Sequence, residues 1–84
     1  MIKQVNLSKD AMKYLARLPR NSAQKIARAI KCVAAGKDEP YKIKKLSGRN
    51  QWRLRVGRQR VIYELENETK LLVLKIGPRG DVYK

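Results

Sequence analysis

Histidine is absent from this 84-residue sequence, which removes the side chain that most often acts as a general base near neutral pH and the commonest metal ligand. Cysteine occurs once, as Cys32. A single cysteine forms no internal disulfide, and without an imidazole nothing here activates it as a nucleophile. Long apolar runs are also missing. None approaches the roughly 20 residues that span a bilayer, and the opening Met1-Ile2-Lys3-Gln4 lacks the apolar stretch of a secretory signal. The expectation is a soluble, cytoplasmic protein with no membrane partner.

Negative charge is scarce: 7 Asp and Glu stand against 21 Lys and Arg, a formal net charge of +14. Glu64, Glu66 and Glu68 alternate along one segment, but a lone strand offers no converging ligands for a cation. Neither a metal nor another cofactor is expected. So large a surplus on so small a chain implies a polyanionic partner. A membrane surface or an acidic protein would also balance it. Nucleic acid is preferred, because the basic residues run through the strand-like segments as well as the helical ones.

What is present suits one modest core and one domain over residues 1–84. Hydrophobic residues make up 43% of the chain and are spread along its length. Ile2 to Leu7 reads as a short strand. Ser8 offers an N-cap for a helix with Ala11, Met12, Leu15 and Leu18 on one face, stopped by Pro19. Asn21 can cap a second helix with Ala23, Ile26, Ala27, Ile30, Val33 and Ala34 at helical spacing, ended by Gly36. Lys25, Arg28 and Lys31 take its other side, and Cys32 falls with them. A polar connection from Lys37 to Asn50 leads into a three-strand meander. Its first strand alternates Trp52, Leu54 and Val56 with Arg53 and Arg55. Gly57-Arg58 is a turn, Val61, Tyr63 and Leu65 mark the next strand, Asn67 the next turn, and Leu72, Leu74 and Ile76 the last strand. The fold class is α+β: an N-terminal strand and an antiparallel helical hairpin packed on one face of a mostly antiparallel sheet, in the order β-α-α-β-β-β.

A two-residue turn at Gly57-Arg58 sets Val56 opposite Gln59, Arg55 opposite Arg60, Leu54 opposite Val61 and Trp52 opposite Tyr63. All the large apolar residues of this hairpin then face the helices, and Arg53, Arg55 and Arg60 project together from the other face. If the second turn brings Leu65 beside Lys70, Arg60 meets Lys75 and a fourth cation joins them. Like charges directly across a ladder cost from a few tenths to about 1 kcal/mol per pair, which folding alone does not select. An anion bound across the strands would relieve the repulsion. Long arginines splayed over a solvated face are the plainer alternative. Lys42, Lys44, Lys45 and Arg49 in the connection suit phosphate contacts or a solvated loop.

The segment from Trp52 to Glu64, WRLRVGRQRVIYE, resembles the central hairpin of the RelE/ParE superfamily of type II toxins. So does the ending from Leu72 to Tyr83, LVLKIGPRGDVY, and Lys45-Leu46-Ser47-Gly48 matches the loop before that hairpin. Gyrase-directed ParE-like members share much of the hairpin; the Arg-x-Asp-Val-Tyr ending is closer to the RelE-like ribonucleases. The resemblance implies the RelE-like fold and a toxin that enters the ribosomal A site and cuts the exposed mRNA codon without a metal. Its implied partners are mRNA on the ribosome, ribosomal RNA and an acidic cognate antitoxin. By position it matches Arg53 and Arg55 to the basic residues of the family's central strand, Arg60 and Arg79 to its arginines and Tyr83 to its C-terminal tyrosine. The chemistry of RNA cleavage then suits Arg60 and Arg79 to the scissile phosphate, Arg53 and Arg55 to the RNA backbone or developing charge, and Tyr83 to proton abstraction, with base stacking or C-terminal packing as its alternative. Arg58 and Lys75 join the connection's basic residues as RNA contacts. Arginine replaces the frequent lysines at positions 53 and 55, and Pro78 and Gly80 stand where histidine or arginine is common, which removes a lysine acid or base. A ParE-like gyrase inhibitor and a non-catalytic RNA-binding module are the alternatives.

Overall fold

A computed structural model of the chain describes residues 2–37, 41–46 and 50–78. Along the chain run β1 (Gln4–Leu7), α1 (Lys9–Arg17), α2 (Arg20–Ala34), β2 (Lys42–Lys45), β3 (Gln51–Val56), β4 (Gln59–Leu65) and β5 (Lys70–Pro78). The strands form one sheet in the order β1-β5-β4-β3-β2. β1 is parallel to β5, and the other neighbours are antiparallel. Both helices pack on one side, where Ala11, Ile26, Ala29 and Ile30 meet Leu54, Val61, Tyr63, Leu71, Val73 and Ile76. The expected α+β class and helical hairpin are present. To the β-α-α-β-β-β frame the structure adds β2, formed inside what the sequence presents as a polar connection. Its Lys-Ile-Lys-Lys sequence has only one apolar residue with which to signal alternation.

Ser8 starts α1 as expected, and it does more than cap. Its Oγ accepts the Ala11 N–H at 3.1 Å and donates to the Leu74 carbonyl at 2.7 Å. The buried stripe of α1 is Ala11 with Tyr14, Leu15 and Leu18 beside it, whereas Met12, expected in the core, is 55% exposed. Met12 follows Ala11 by about 100° of helical rotation, and a short helix whose Ala11 points at the sheet turns Met12 to solvent. α2 buries Ile26, Ala29 and Ile30, and Ala27 is exposed. Its N-cap is Pro19, in extended geometry at ψ 147°, and not Asn21, which lies in the first turn. Gly36 ends the helical segment at φ +78°, a conformation that favours glycine.

The β3–β4 hairpin has the expected register throughout: Val56 with Gln59, Arg55 with Arg60, Leu54 with Val61, Trp52 with Tyr63. Gly57, at φ +59°, is the first of the two turn residues, and no other residue type among those described has positive φ. That is the pattern of a type II′ turn.

The β4–β5 register differs from the expectation. Leu65 pairs with Leu71, not Lys70, and a bulge follows: Tyr63 pairs with Val73 but Ile62 with Lys75, leaving Leu74 as the extra residue. Leu71, Val73 and Ile76 therefore form the core side in place of Leu72, Leu74 and Ile76. A one-residue change in turn length moves every side chain to the other face. In Leu71-Leu72-Val73-Leu74 apolar residues occupy both phases, so hydrophobicity does not choose between them. The loop itself is set by Asn67, whose Oδ1 accepts from the backbone N–H of Thr69 at 2.8 Å and of Lys70 at 3.0 Å.

Candidate nucleic-acid interface

Residues directly paired across a ladder share a face, so the registers define the sheet surface opposite the helices. One row across the strands reads Lys42, Arg55, Arg60, Gly77; the next reads Lys44, Arg53, Ile62, Lys75. A third holds Gln51, Glu64 and Leu72. Neighbouring strands are about 4.8 Å apart and successive rows about 7 Å apart along a strand. The arginines at 53, 55 and 60 thus stand together, as the hairpin register requires. Arg55 is exposed, while Arg53 and Arg60 are partly buried.

β2 enlarges this surface. Lys42 is paired with Arg55 and Lys44 with Arg53, so two residues expected in a loop become strand members of the cationic face. Their signal in the sequence is the alternation of Lys42 and Lys44 about Ile43, too short to read alone. Lys45 belongs elsewhere. It pairs with Trp52, on the helix side, with its Nζ 5.5 Å from the indole centroid. Trp52 in turn stacks on Tyr63, with centroids 5.9 Å apart. The only large aromatic ring pair of β3 and β4 therefore contacts itself and the lysine, not the cationic face.

Lys75 is beside Ile62 rather than Arg60, because of the bulge. It also borders Asp10, Lys13 and Arg17 of α1 at the sheet edge. Arg60 has Gly77 as its β5 partner. Ile62 is 7% exposed yet lies outside the helix-side cluster. It forms an apolar spot between Arg53 and Lys75, which the sequence reading did not identify.

Glu64 is the carboxylate on this surface among the described residues. It accepts a hydrogen bond from Gln51 Nε2, its cross-strand partner, at 3.2 Å. No group of acidic, cysteine or histidine side chains that would hold a metal occurs among the described residues. Arg58 is exposed in the hairpin turn. Arg49, Arg79 and Tyr83 lie outside the described residues. Cys32 is half-buried on α2, and after burial the neighbouring Cys32 sulfur is the next cause holding the Tyr41 phenol above its ordinary value. No described helix is long and apolar enough to cross a membrane.

This arrangement suits phosphate. Guanidinium forks donate paired hydrogen bonds to phosphate oxygens, and two cationic rows with one carboxylate at their margin match a polyanion better than any neutral ligand.

The sequence matches the family model described as the ParE toxin of type II toxin–antitoxin systems, over residues 5–83. The structure is similar to an archaeal RelE–RelB complex from Pyrococcus horikoshii, with TM-score 0.76, 29% identity, and coverage of 96% of this chain and 99% of that one. It is similar to a RelB–RelE antitoxin–toxin complex from Methanococcus jannaschii, with TM-score 0.74 and 25% identity over 93% and 94% of the two chains. A YafQ variant from Escherichia coli shares the fold at TM-score 0.76 and 17% identity, over 98% and 99%. No curated protein sequence matches. A sequence match across nearly the whole chain, on the fold of the RelE structures, places this protein in the RelE/ParE superfamily of type II toxin–antitoxin toxins.

Proposed function

We propose that the protein is the endoribonuclease toxin of such a pair, acting in the cytoplasm on mRNA held in the ribosomal A site. The observation that carries this reading is the paired rows of cations, Lys42, Arg55 and Arg60 beside Lys44, Arg53 and Lys75, on the sheet face that the helices leave bare.

RNA supplies its own nucleophile, the 2′-hydroxyl. Attack on the adjacent phosphorus forms a pentacoordinate phosphorane and then a cyclic phosphate, and the 5′-oxygen leaves with a proton. The protein must position the strand, remove one proton, stabilise the phosphorane and protonate the leaving oxygen. Donors aimed at developing charge are worth about 3 to 4 kcal/mol each. That exceeds the cost, at most about 1 kcal/mol per pair, of opposing Arg55 to Arg60. We assign Arg60 and Arg79 to the scissile phosphate, and Arg53 and Arg55 to the backbone and the developing charge. Lys42, Lys44, Arg49, Arg58 and Lys75 act as outer phosphate contacts. Arginine stays protonated and cannot serve as a base. Tyr83 takes that role, since cations brought near a phenol favour its phenolate. Lys45, over Trp52 on the other side of the sheet, is left out of the site. An acidic antitoxin covering the cations would silence the toxin.

The test is cleavage of mRNA on programmed ribosomes by purified protein. Wild type cuts within the A-site codon; Arg60→Ala, Arg79→Ala and Tyr83→Phe each lose at least tenfold in rate while remaining folded. Full cleavage by all three would remove the site. Accumulation of gyrase-cleaved DNA with intact mRNA would replace this reading with the ParE-like one, and salt-sensitive RNA binding without cleavage would reduce it to an RNA-binding module.

A further inference from the structure

The cationic rows end at the hairpin tip, and the molecule's other concentration of donors begins on the far side of that tip. Between the start of α2 and the β3–β4 turn lies a cleft of about 320 Å³. Ile26 and Val56 provide its apolar part, and Ser22, Lys25, Arg58 and Gln59 its polar part. Among the described residues, no carboxylate lines it. Gln59 is held in place: its Oε1 accepts the Tyr14 hydroxyl at 2.6 Å, which leaves the amide N–H groups of that side chain to donate. Two cations, an amide donor and a hydroxyl around one opening fit a phosphodiester and disfavour an acceptor-poor ligand.

Position makes the same point. Val56 and Gln59 are the last pair before the turn and face the helices; Arg55 and Arg60, the next pair, face the opposite way. A strand of RNA leaving Arg55 and Arg60 at the end of the sheet therefore meets Arg58 at the turn and Lys25 just beyond it. We infer that this cleft is a second phosphodiester-binding site, which holds RNA backbone as it passes from the sheet face around the hairpin tip to α2. The inference rests on the RNA-binding half of the proposed function and not on catalysis.

Salt dependence tests it, because each phosphate contact to a single strand contributes about 0.7 to the slope of log affinity against log salt. Binding is measured to a single-stranded RNA oligonucleotide and, separately, to small ribosomal subunits. The Lys25→Ala, Arg58→Ala double variant is expected to lower the slope by about 1.4. Lys25→Arg with Arg58→Lys keeps it. Arg28→Ala with Lys31→Ala removes the same charge from α2 away from the cleft and leaves the slope near wild type. A loss seen with both ligands assigns the cleft to the message strand, and a loss seen with subunits alone assigns it to ribosomal RNA. An unchanged slope with both ligands, or an equal fall in the Arg28 and Lys31 control, overturns the inference. An Arg55→Ala, Arg60→Ala variant run alongside distinguishes the two failures: if it too leaves the slope unchanged, the sheet face itself is not the RNA site.

Discussion

Arg55 and Arg60 face one another across the ladder, so the like-charge repulsion of this pair opposes folding while the same charges favour anion binding. Arg55→Ala should raise the free energy of unfolding by a few tenths to about 1 kcal/mol, read by urea denaturation, while weakening RNA binding. A variant that loses both would mean that Arg55 has a structural partner. The pairing was legible in the sequence, because a glycine-led two-residue turn and strict alternation leave one register. Tyr41 was not legible, since nothing in the sequence brings it to Cys32. Burial first, then the charge and hydrogen bond of the Cys32 thiol, hold the Tyr41 phenol above its ordinary 10.0, against the lowering influence of Arg28. A raised folded value favours the neutral phenol. The associated stability is complete below the ordinary value and is lost as pH rises through the folded one. Cys32→Ala should bring the phenol's titration, followed by phenolate absorbance, part of the way back toward 10.0.

At the scale of elements, Ser8 joins the first helix to the last strand. Its hydroxyl serves the α1 amide and the Leu74 carbonyl at once. Ser8→Ala should cost about 1 to 2 kcal/mol, more than an exposed cap, with unfolding measured in denaturant; a change of only a few tenths would mean that solvent replaces both bonds. The cap itself was readable from Ser8 ahead of an amphipathic run. The bulge was not, because Leu72 and Leu74 are as apolar as Leu71 and Val73, and only the Asn67 loop and the Ser8 contact distinguish the phases. Leu71→Ala should therefore destabilise by about 2 to 5 kcal/mol, and Leu72→Ala by much less, since Leu71 is 2% exposed in the core while Leu72 lies beside Glu64 on the other face. Equal losses would restore the register expected from the sequence. β2 was missed for a different reason: four residues with one apolar side chain acquire their strand form from β3, a tertiary cause that local pattern does not carry.

For the whole molecule, the sheet face and the outer side of α2 are both basic, so a net charge of +14 is divided over opposite surfaces. RNA affinity should fall steeply with salt, and removing the sheet-face cations alone should leave a residual slope from the cleft at Lys25 and Arg58; a slope abolished by Arg53→Ala, Arg55→Ala and Arg60→Ala together would mean that only one surface is used. That the chain is cationic was evident from composition, and so was the class of partner. How the cations divide between faces required the register. The sheet also contains one position where its frame is loose. Deleting Leu74 leaves Val73 against Tyr63 and Lys75 against Ile62 in unbroken alternation, whereas losing a residue just before it reverses the strand toward Leu71. Natural length changes in this strand should accordingly collect at residue 74, where the chain can shorten without turning its inside out.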